Sequence, residues 1–265
     1  MNSIINSKRI VIKVGTSTLT HPSGKINIRH IENLCKVIAD LENAGKEITL
    51  VSSGAIGVGV GKLNLAARPD ETSKKQALAA IGQCELMFMY DKFFGEYNHT
   101  VAQVLLTADV VDSDIKRQNV QNTFAELIDM GIIPVVNEND TVATDELEGN
   151  NFGDNDTLSA IVAKLINADL LVILTDIDGL YDKDPRKYSD ARRIAVVEKI
   201  DEEIEALAGG AGSLFGTGGM TTKVSAAKVS TEAGIPCCVI KGDQPANLYT
   251  LFDGQNIGTI FKAGR

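Results

Sequence analysis

Apolar and polar positions along the chain alternate between two rhythms. Short, nearly continuous apolar runs occur at residues 9–14 (RIVIKV), 47–51, 100–106, 132–136 (IIPVV), 170–175 (LLVILT) and 236–241, each of strand length. Between them apolar residues return at three- and four-residue spacing. Ile31, Leu34, Cys35, Ile38 and Leu41 mark a helix over 28–41 that Gly45 stops, and Ala77, Leu78, Ile81, Cys84, Leu86, Met87 and Phe88 mark another over 74–94. Further helices are predicted over 119–130, 158–166 and 220–233, and a short apolar piece at 257–261 closes the pattern. Runs that are apolar throughout, rather than on alternate residues, predict strands covered on both faces. Strand and helix alternate with short links, which predicts an α/β fold: a three-layer αβα sandwich with a mainly parallel central sheet. The stretch 74–94 is apolar around much of its circumference, so burial against the sheet and against a second subunit are both open to it.

The pattern breaks where strands end. After 132–136 come Asn137, Glu138, Asn139 and Asp140, and later Asp154, Asn155 and Asp156. So many carboxylates and amides do not read as core, because such groups are rarely buried without partners. The stretch is either a solvated loop with ordinary helix caps or a binding site at a strand end and a helix start. Lys13 poses a similar choice: it interrupts an apolar strand and is followed by Gly15, Thr16, Ser17 and Thr18. Its ammonium either snorkels at the strand end or points into a pocket beside a turn that can approach phosphate. Ligands of open α/β sheets sit at the carboxyl ends of strands, which favours the pocket.

Two glycine-rich stretches follow the same logic. Ser52-Ser53-Gly54-Ala55 precedes Gly57, Gly59 and Gly61, but position 62 is Lys, so the dinucleotide fingerprint is absent. The turn either offers the Ser53 hydroxyl and the N–H groups of Gly54 and Ala55 to an anion, or starts a helix whose glycines permit close packing. Residues 209–223 (GGAGSLFGTGGMTTK) open the helix 220–233 with Lys223 in its first turn, an arrangement suited to cradling phosphate. Three residues separate Lys223 from Gly219, so this is no Walker A loop.

Composition narrows the function classes. The chain has 265 residues, 44% of them hydrophobic, with a net charge of −9 and no Lys/Arg-rich block. Nucleic acids and anionic membranes demand a basic footprint, so neither is expected as a partner. The N-terminus lacks the apolar core of a signal peptide and no apolar run approaches the ~20 residues of a membrane span, which makes the cytoplasm the expected location. Cys35, Cys84, Cys237 and Cys238 form neither C-x-x-C nor a Cys/His cluster and read as buried thiols, and His21, His30 and His99 receive no role.

Six blocks, IVIKVGTSTL, VSSGAIGVG, PVVNENDTV, GDNDTLSA, LTDIDGLYDKDPR and GTGGMTTKVSAA, occur in an order and at separations that resemble the amino acid kinase family over nearly the whole chain. The resemblance implies one domain over 1–265, with a substrate-binding part of about 1–165 and a nucleotide-binding part of about 166–265; in a departure from many bacterial members of the family, no C-terminal domain of the PUA type is expected. It implies transfer of phosphoryl from ATP to the side-chain carboxylate of L-glutamate, opening L-proline biosynthesis. On that reading Lys13 and Lys223 flank the transferring group and Asp156 holds them. Ser53, Gly54, Ala55, Asn139, Asp140, Asp154 and Asn155 serve glutamate. Lys13, Gly15, Thr175, Asp176, Tyr181, Thr217, Gly218, Gly219, Met220, Thr221, Thr222 and Lys223 serve the nucleotide. Mg²⁺ is expected to travel with ATP, held mainly by phosphates and water rather than by a protein site. The resemblance further implies feedback by L-proline and a homo-oligomer, dimer or tetramer.

The chemistry suits these residues. A glutamate side chain, with a reference pKa of ~4.3, is already an anion at neutral pH, so no general base is required and the absence of a placed histidine is no obstacle. The difficulty is an anion approaching a phosphoryl group, which two ammoniums and a metal relieve. Asp140 suits the substrate's α-ammonium. The acyl phosphate product is easily hydrolysed, so a closing loop is expected, with residues 145–153 the candidate. The segment 144–152 (TDELEGNNF) is acidic where the family usually carries a lysine. Rival readings are N-acetylglutamate kinase, aspartokinase, uridylate kinase, or a ligand sensor that has lost catalysis. The Asn139-Asp140 pair speaks against the first, and retention of both lysines against the last.

Overall fold

Six strands run in one direction and two return against them. The computed structural model describes residues 1–21, 23–142, 154–209 and 219–264. The strands are β1 (Arg9–Val14), β2 (Glu47–Ser52), β3 (Val101–Leu106), β4 (Ile133–Glu138), β5 (Leu170–Thr175), β6 (Val196–Val197), β7 (Cys237–Lys241) and β8 (Gly258–Phe261). They form one sheet in the order β3-β4-β2-β1-β5-β7-β8-β6. Neighbours are parallel from β3 to β7, β8 is antiparallel to β7, and β6 is parallel to β8. The apolar piece at 257–261 is therefore a strand, and β8 covers what would otherwise be the edge of β7.

Every residue of β4 and β5 is buried, as is every residue but the first of β1 and β2. Side chains alternate between faces, so each central strand feeds two cores. Ile10, Ile12 and Val14 join Ile48, Leu50, Leu170 and Val172 on one face, under the helices Ile28–Asn43 and Thr72–Glu96. Val11 joins Val51, Leu171 and Ile173 on the other, under Asn155–Leu165 and Met220–Glu232. Lys13 is two residues from Val11 and projects to this second face. Parity thus decides which helices the lysine meets.

The chain order reverses about β1: β2 lies on one side of it and β5 on the other. Such a reversal leaves a crevice at the carboxyl ends of the strands. In-register pairing of Val14 with Ser52 and with Leu174 brings the ends of β1, β2 and β5 level there.

Several boundaries differ from those the pattern predicts. The strand predicted over 132–136 extends to Glu138, and Asn137 and Glu138 lie inside it, buried. The expectation that this polar run stays out of the core is corrected for these two; for Asn137, partners on other elements, Gln83 and Asn155, make the burial tolerable. The helix predicted from 119 begins at Asp114, capped by Ser113, because its first turns are polar and carry no apolar rhythm. Cys84 is exposed, on the outer face of the long helix, whereas the other three cysteines are buried. Phe88 on that helix is also exposed. No described helix is long and apolar enough to cross a membrane.

The helix Ala55–Lys62 answers the question posed by Gly57, Gly59 and Gly61. A Cβ on Gly59 would lie 2.1 Å from the Leu78 carbonyl oxygen, and one on Gly82 of the facing helix 1.8 Å from that of Ala55. These glycines let two helices touch backbone to backbone. Gly54 is different: with φ of +91° it takes the left-handed conformation at the helix start, a turn that favours glycine.

Candidate active site

Lys13, Asp156 and Lys223 come from three distant segments and meet in one buried cluster. Lys13 Nζ lies 2.6 Å from Asp156 Oδ1 and Lys223 Nζ lies 3.1 Å from Oδ2. Asp156 is wholly inaccessible, and the two lysines are 7% and 6% exposed. The Lys13 contact meets Oδ1 off the hydrogen-bonding direction, so it is an ion pair first. Burial pushes the Asp156 carboxyl up, yet Lys13 and Lys223 together outweigh it and hold it below the usual carboxylate range.

Both helices deliver their residues at their first turns. Asp154 caps Asn155–Leu165, its Oδ1 accepting from the N–H groups of Asp156 and Thr157 at 2.9 Å. Its Oδ2 is buried without a hydrogen-bond partner. Burial and then the neighbouring Asp156 push this carboxyl up. An acceptor oxygen kept out of water in this way suits a cation. The helix Met220–Glu232 starts at Gly219 with no side-chain cap, so its first N–H groups point outward unsatisfied by a cap, the usual setting for an anion.

The hydroxyls of that turn look inward, however. Thr222 Oγ1 lies 2.9 Å from Asp156 Oδ2 and 2.8 Å from the Gly219 carbonyl oxygen, while Thr221 Oγ1 donates to the Ala208 carbonyl at 3.2 Å. What Thr221 and Thr222 have to offer a nucleotide is therefore backbone, and Thr222 acts as a further hold on Asp156. Thr217 and Gly218 lie outside the described residues, as do the proposed closing loop 145–153 and the acidic segment 144–152.

On the other side of Asp156, Asn155 reaches across the sheet ends. Its Nδ2 is 2.7 Å from the Ser52 carbonyl, 2.9 Å from Asn137 Oδ1 and 3.0 Å from Ser53 Oγ. Gly54 packs on Thr16, so the turns after β1 and β2 support each other. Gly15 sits beside the Lys13 amine. Asn139 and Asp140 follow β4 directly and are half-buried. Asn139 Oδ1 accepts from Thr141 at 2.5 Å.

Thr175, Asp176 and Tyr181 form a separate group at the end of β5. Thr175 is buried and donates to Asp176 Oδ1, Asp176 is exposed, and the Tyr181 hydroxyl donates to Asp178. Three residues of the site carry no role in the motifs. Asn137 links Asn155 to Gln83 of the helix Thr72–Glu96, and Tyr90 of that helix shares a 2.9 Å hydrogen bond with Ser52. Gln83 was discernible only as a lone amide within an otherwise apolar turn.

The family profile described as the Amino acid kinase family matches residues 8–241. The chain belongs to that family. Within the amino acid kinase family it is similar to Glutamate 5-kinase of Clostridium perfringens (strain 13 / Type A), 57% identical over 259 residues that cover 97% of this chain and 96% of that one. Glutamate 5-kinase of Listeria monocytogenes serovar 1/2a is 55% identical over 98% of this chain and 94% of its own length. Among solved structures, UMP kinase from Ureaplasma parvum superposes with a TM-score of 0.67 over 97% of this chain and 99% of that one, at 15% identity. That likeness is one of fold, and it assigns the sheet and its helical layers to the amino acid kinase architecture.

Proposed function

We propose that this chain transfers the γ-phosphoryl group of ATP to the side-chain carboxylate of L-glutamate, forming L-glutamyl 5-phosphate, the first step of L-proline biosynthesis. The observation that carries the reading is the pair of lysines converging on Asp156 at the crevice beside β1, in a chain so similar to glutamate 5-kinases throughout. The carboxylate nucleophile needs no base. What it needs is relief from repulsion as it meets the phosphoryl group, and two ammoniums placed in advance supply that without reorganising solvent.

Asp156 keeps the amines aimed and prevents their mutual repulsion before ATP arrives. Ser53, with the N–H groups of Gly54 and Ala55, takes a substrate carboxylate; Asp140, Asn139 and Asn155 serve the ammonium end. Gly15 and Gly219 to Lys223 lie against the phosphates, and Thr175, Asp176 and Tyr181 against the nucleoside. The buried, unpaired Asp154 Oδ2 fits a hard cation, so Asp154 would hold a Mg²⁺ ion entering with ATP, together with phosphate oxygens and water. When bound, that ion neutralises charge on the phosphates. Feedback by L-proline, assembly of copies through the long helix bearing exposed Phe88, and a cytoplasmic location belong to the same reading.

The test is ATP consumption with L-glutamate, N-acetylglutamate, aspartate and UMP in parallel, with hydroxylamine present to trap an acyl phosphate as hydroxamate. Turnover and hydroxamate with glutamate alone are expected. Preference for any other acceptor would reject the proposal.

A further inference from the structure

The amides at the pocket form a chain whose polarity is dictated by groups that cannot change theirs. The backbone N–H of Glu138 can only donate, and it lies 2.9 Å from one end of the Asn137 side chain, which must therefore be Oδ1. Asn137 Nδ2 then faces Gln83, 2.7 Å away, and Gln83 must present Oε1. At the other end, the Ser52 carbonyl can only accept, so the Asn155 atom 2.7 Å from it must be Nδ2. The same Nδ2 donates to Asn137 Oδ1 at 2.9 Å. Two independent anchors, one a donor and one an acceptor, thus agree on the direction of the whole chain.

The consequence falls on Asn155. Both its amide hydrogens are committed to the protein, which leaves Oδ1, an acceptor with no partner among the described residues, as what it offers a ligand. Ser53 Oγ, 3.0 Å from the same Nδ2, can only share one of those two hydrogens and keeps its own hydrogen to donate. The pocket therefore presents a donor at Ser53 and an acceptor at Asn155, suited to the two ends of a zwitterion. Gln83 touches neither group. It lies on the helix Thr72–Glu96, two turns before Tyr90, which anchors Ser52 from the same helix.

We propose that Gln83 is a positioning residue for the substrate's α-ammonium: by accepting from Asn137 it locks the amide chain that holds Asn155 Oδ1 toward that ammonium. The inference rests on the glutamate reading above. Removing the acceptor leaves Asn137 Nδ2 without its partner, so Asn137 is held through Oδ1 alone and the amide shifts to recover a second contact, moving Asn155 with it.

The experiment compares Gln83→Met, which lacks the acceptor, with Gln83→Glu, which keeps it. Glutarate, which has no amine, serves as a competitive inhibitor. Gln83→Met is expected to raise KM for L-glutamate about tenfold, the effect of about one lost hydrogen bond, with kcat, KM for ATP and the glutarate inhibition constant each within about twofold. Gln83→Glu is expected to return KM to within about threefold of the parent. Should Gln83→Met not fold, Gln83→Lys, which puts a donor opposite a donor, carries the same expectation. An unchanged glutamate KM, an equal loss of glutarate affinity, or failure of Gln83→Glu to rescue would overturn the proposal. The parent enzyme separates the two readings: no turnover of glutamate by the parent rejects the function itself, whereas normal turnover with an insensitive Gln83 rejects only the positioning role.

Discussion

Lys13 and Asp156 meet at 2.6 Å, one on the central strand and the other in the first turn of a helix laid over it, and both are buried. A buried ion pair of this kind is costly to build, because both charges give up hydration. Here the carboxylate is shared with Lys223 as well, so two ammoniums stand on the one Asp156 carboxylate at the point where an anion is to be bound.

Replacing the shared carboxylate exposes that arrangement. Asp156→Asn keeps the shape and removes the charge, leaving two buried ammoniums facing each other. kcat is expected to fall by about 10²–10³-fold, as for loss of a preorganised electrostatic contact. Loss of one partner from a buried ion cluster also costs about 3–5 kcal/mol of stability. Steady-state kinetics and thermal unfolding check the two effects, and a normal kcat would remove the lysine pair from the mechanism.

Lys223→Ala and Asp140→Ala are expected to separate cleanly. The first removes charge that matters most when the phosphoryl group is in flight, so kcat should drop about 10²-fold or more with KM for glutamate within about threefold. The second removes a partner of the bound ammonium, so KM for glutamate should rise about tenfold or more with a smaller change in kcat. A reversed pattern would exchange the two assignments.

Asp154 and Asp156 titrate in opposite senses. Asp156 is held low, so its contribution is present above the ordinary aspartate pKa and is lost as pH falls through its folded value. Asp154 is pushed up by burial, so it disfavours the folded state once pH rises above the ordinary aspartate range. Asp154→Asn retains a good helix cap while deleting the buried charge. The ligand-free variant is expected to melt higher than the parent at neutral pH, to lose that advantage as pH is lowered toward the range where Asp154 is protonated anyway, and to turn over more slowly. Equal melting at pH 7 would contradict the buried-charge account.

Glu42 offers a pH effect away from the site. Burial pushes its carboxyl up to about 7, opposed by the Ile48 N–H that it accepts at 2.5 Å. A raised acid contributes full stability below its unfolded value and loses it as pH rises through the folded one, here from about 4.5 to about 7. Glu42→Gln keeps the acceptor and is expected to flatten unfolding midpoints across that window.

Gly82→Ala tests the backbone contact between the two helices. The added methyl would sit 1.8 Å from the Ala55 carbonyl oxygen, so the helices must part. A loss of at least about 1–3 kcal/mol is expected. Because Ala55 belongs to the turn bearing Ser53 and Gly54, KM for glutamate should rise as well, whereas Gly95→Ala, on the same helix with open space around it, should leave both unchanged.

Much of this was legible in one dimension. Fully apolar runs such as LLVILT announce strands covered on both faces, three- and four-residue spacing announces their helices, and Lys13 stands out because a charge does not belong in such a strand. Local chemistry also marks Asp154 as a cap and Gly54 as a turn. Less visible was the role of the glycines in Ala55–Lys62, which serve the close approach of a helix arriving from further along the chain. Nor could the burial of Asn137 be read, since the groups that make it tolerable lie on other elements.

Periodicity and turn chemistry are properties of neighbours in the chain, so the string of residues carries the layers, the strand direction and the cast of charged residues. Which charge meets which depends on strand order and on the face each side chain takes, and those are set when distant segments pack. Asp156 between two lysines, and Gln83 behind Asn137, exist only because burial obliges every polar group to find a partner wherever the fold brings one.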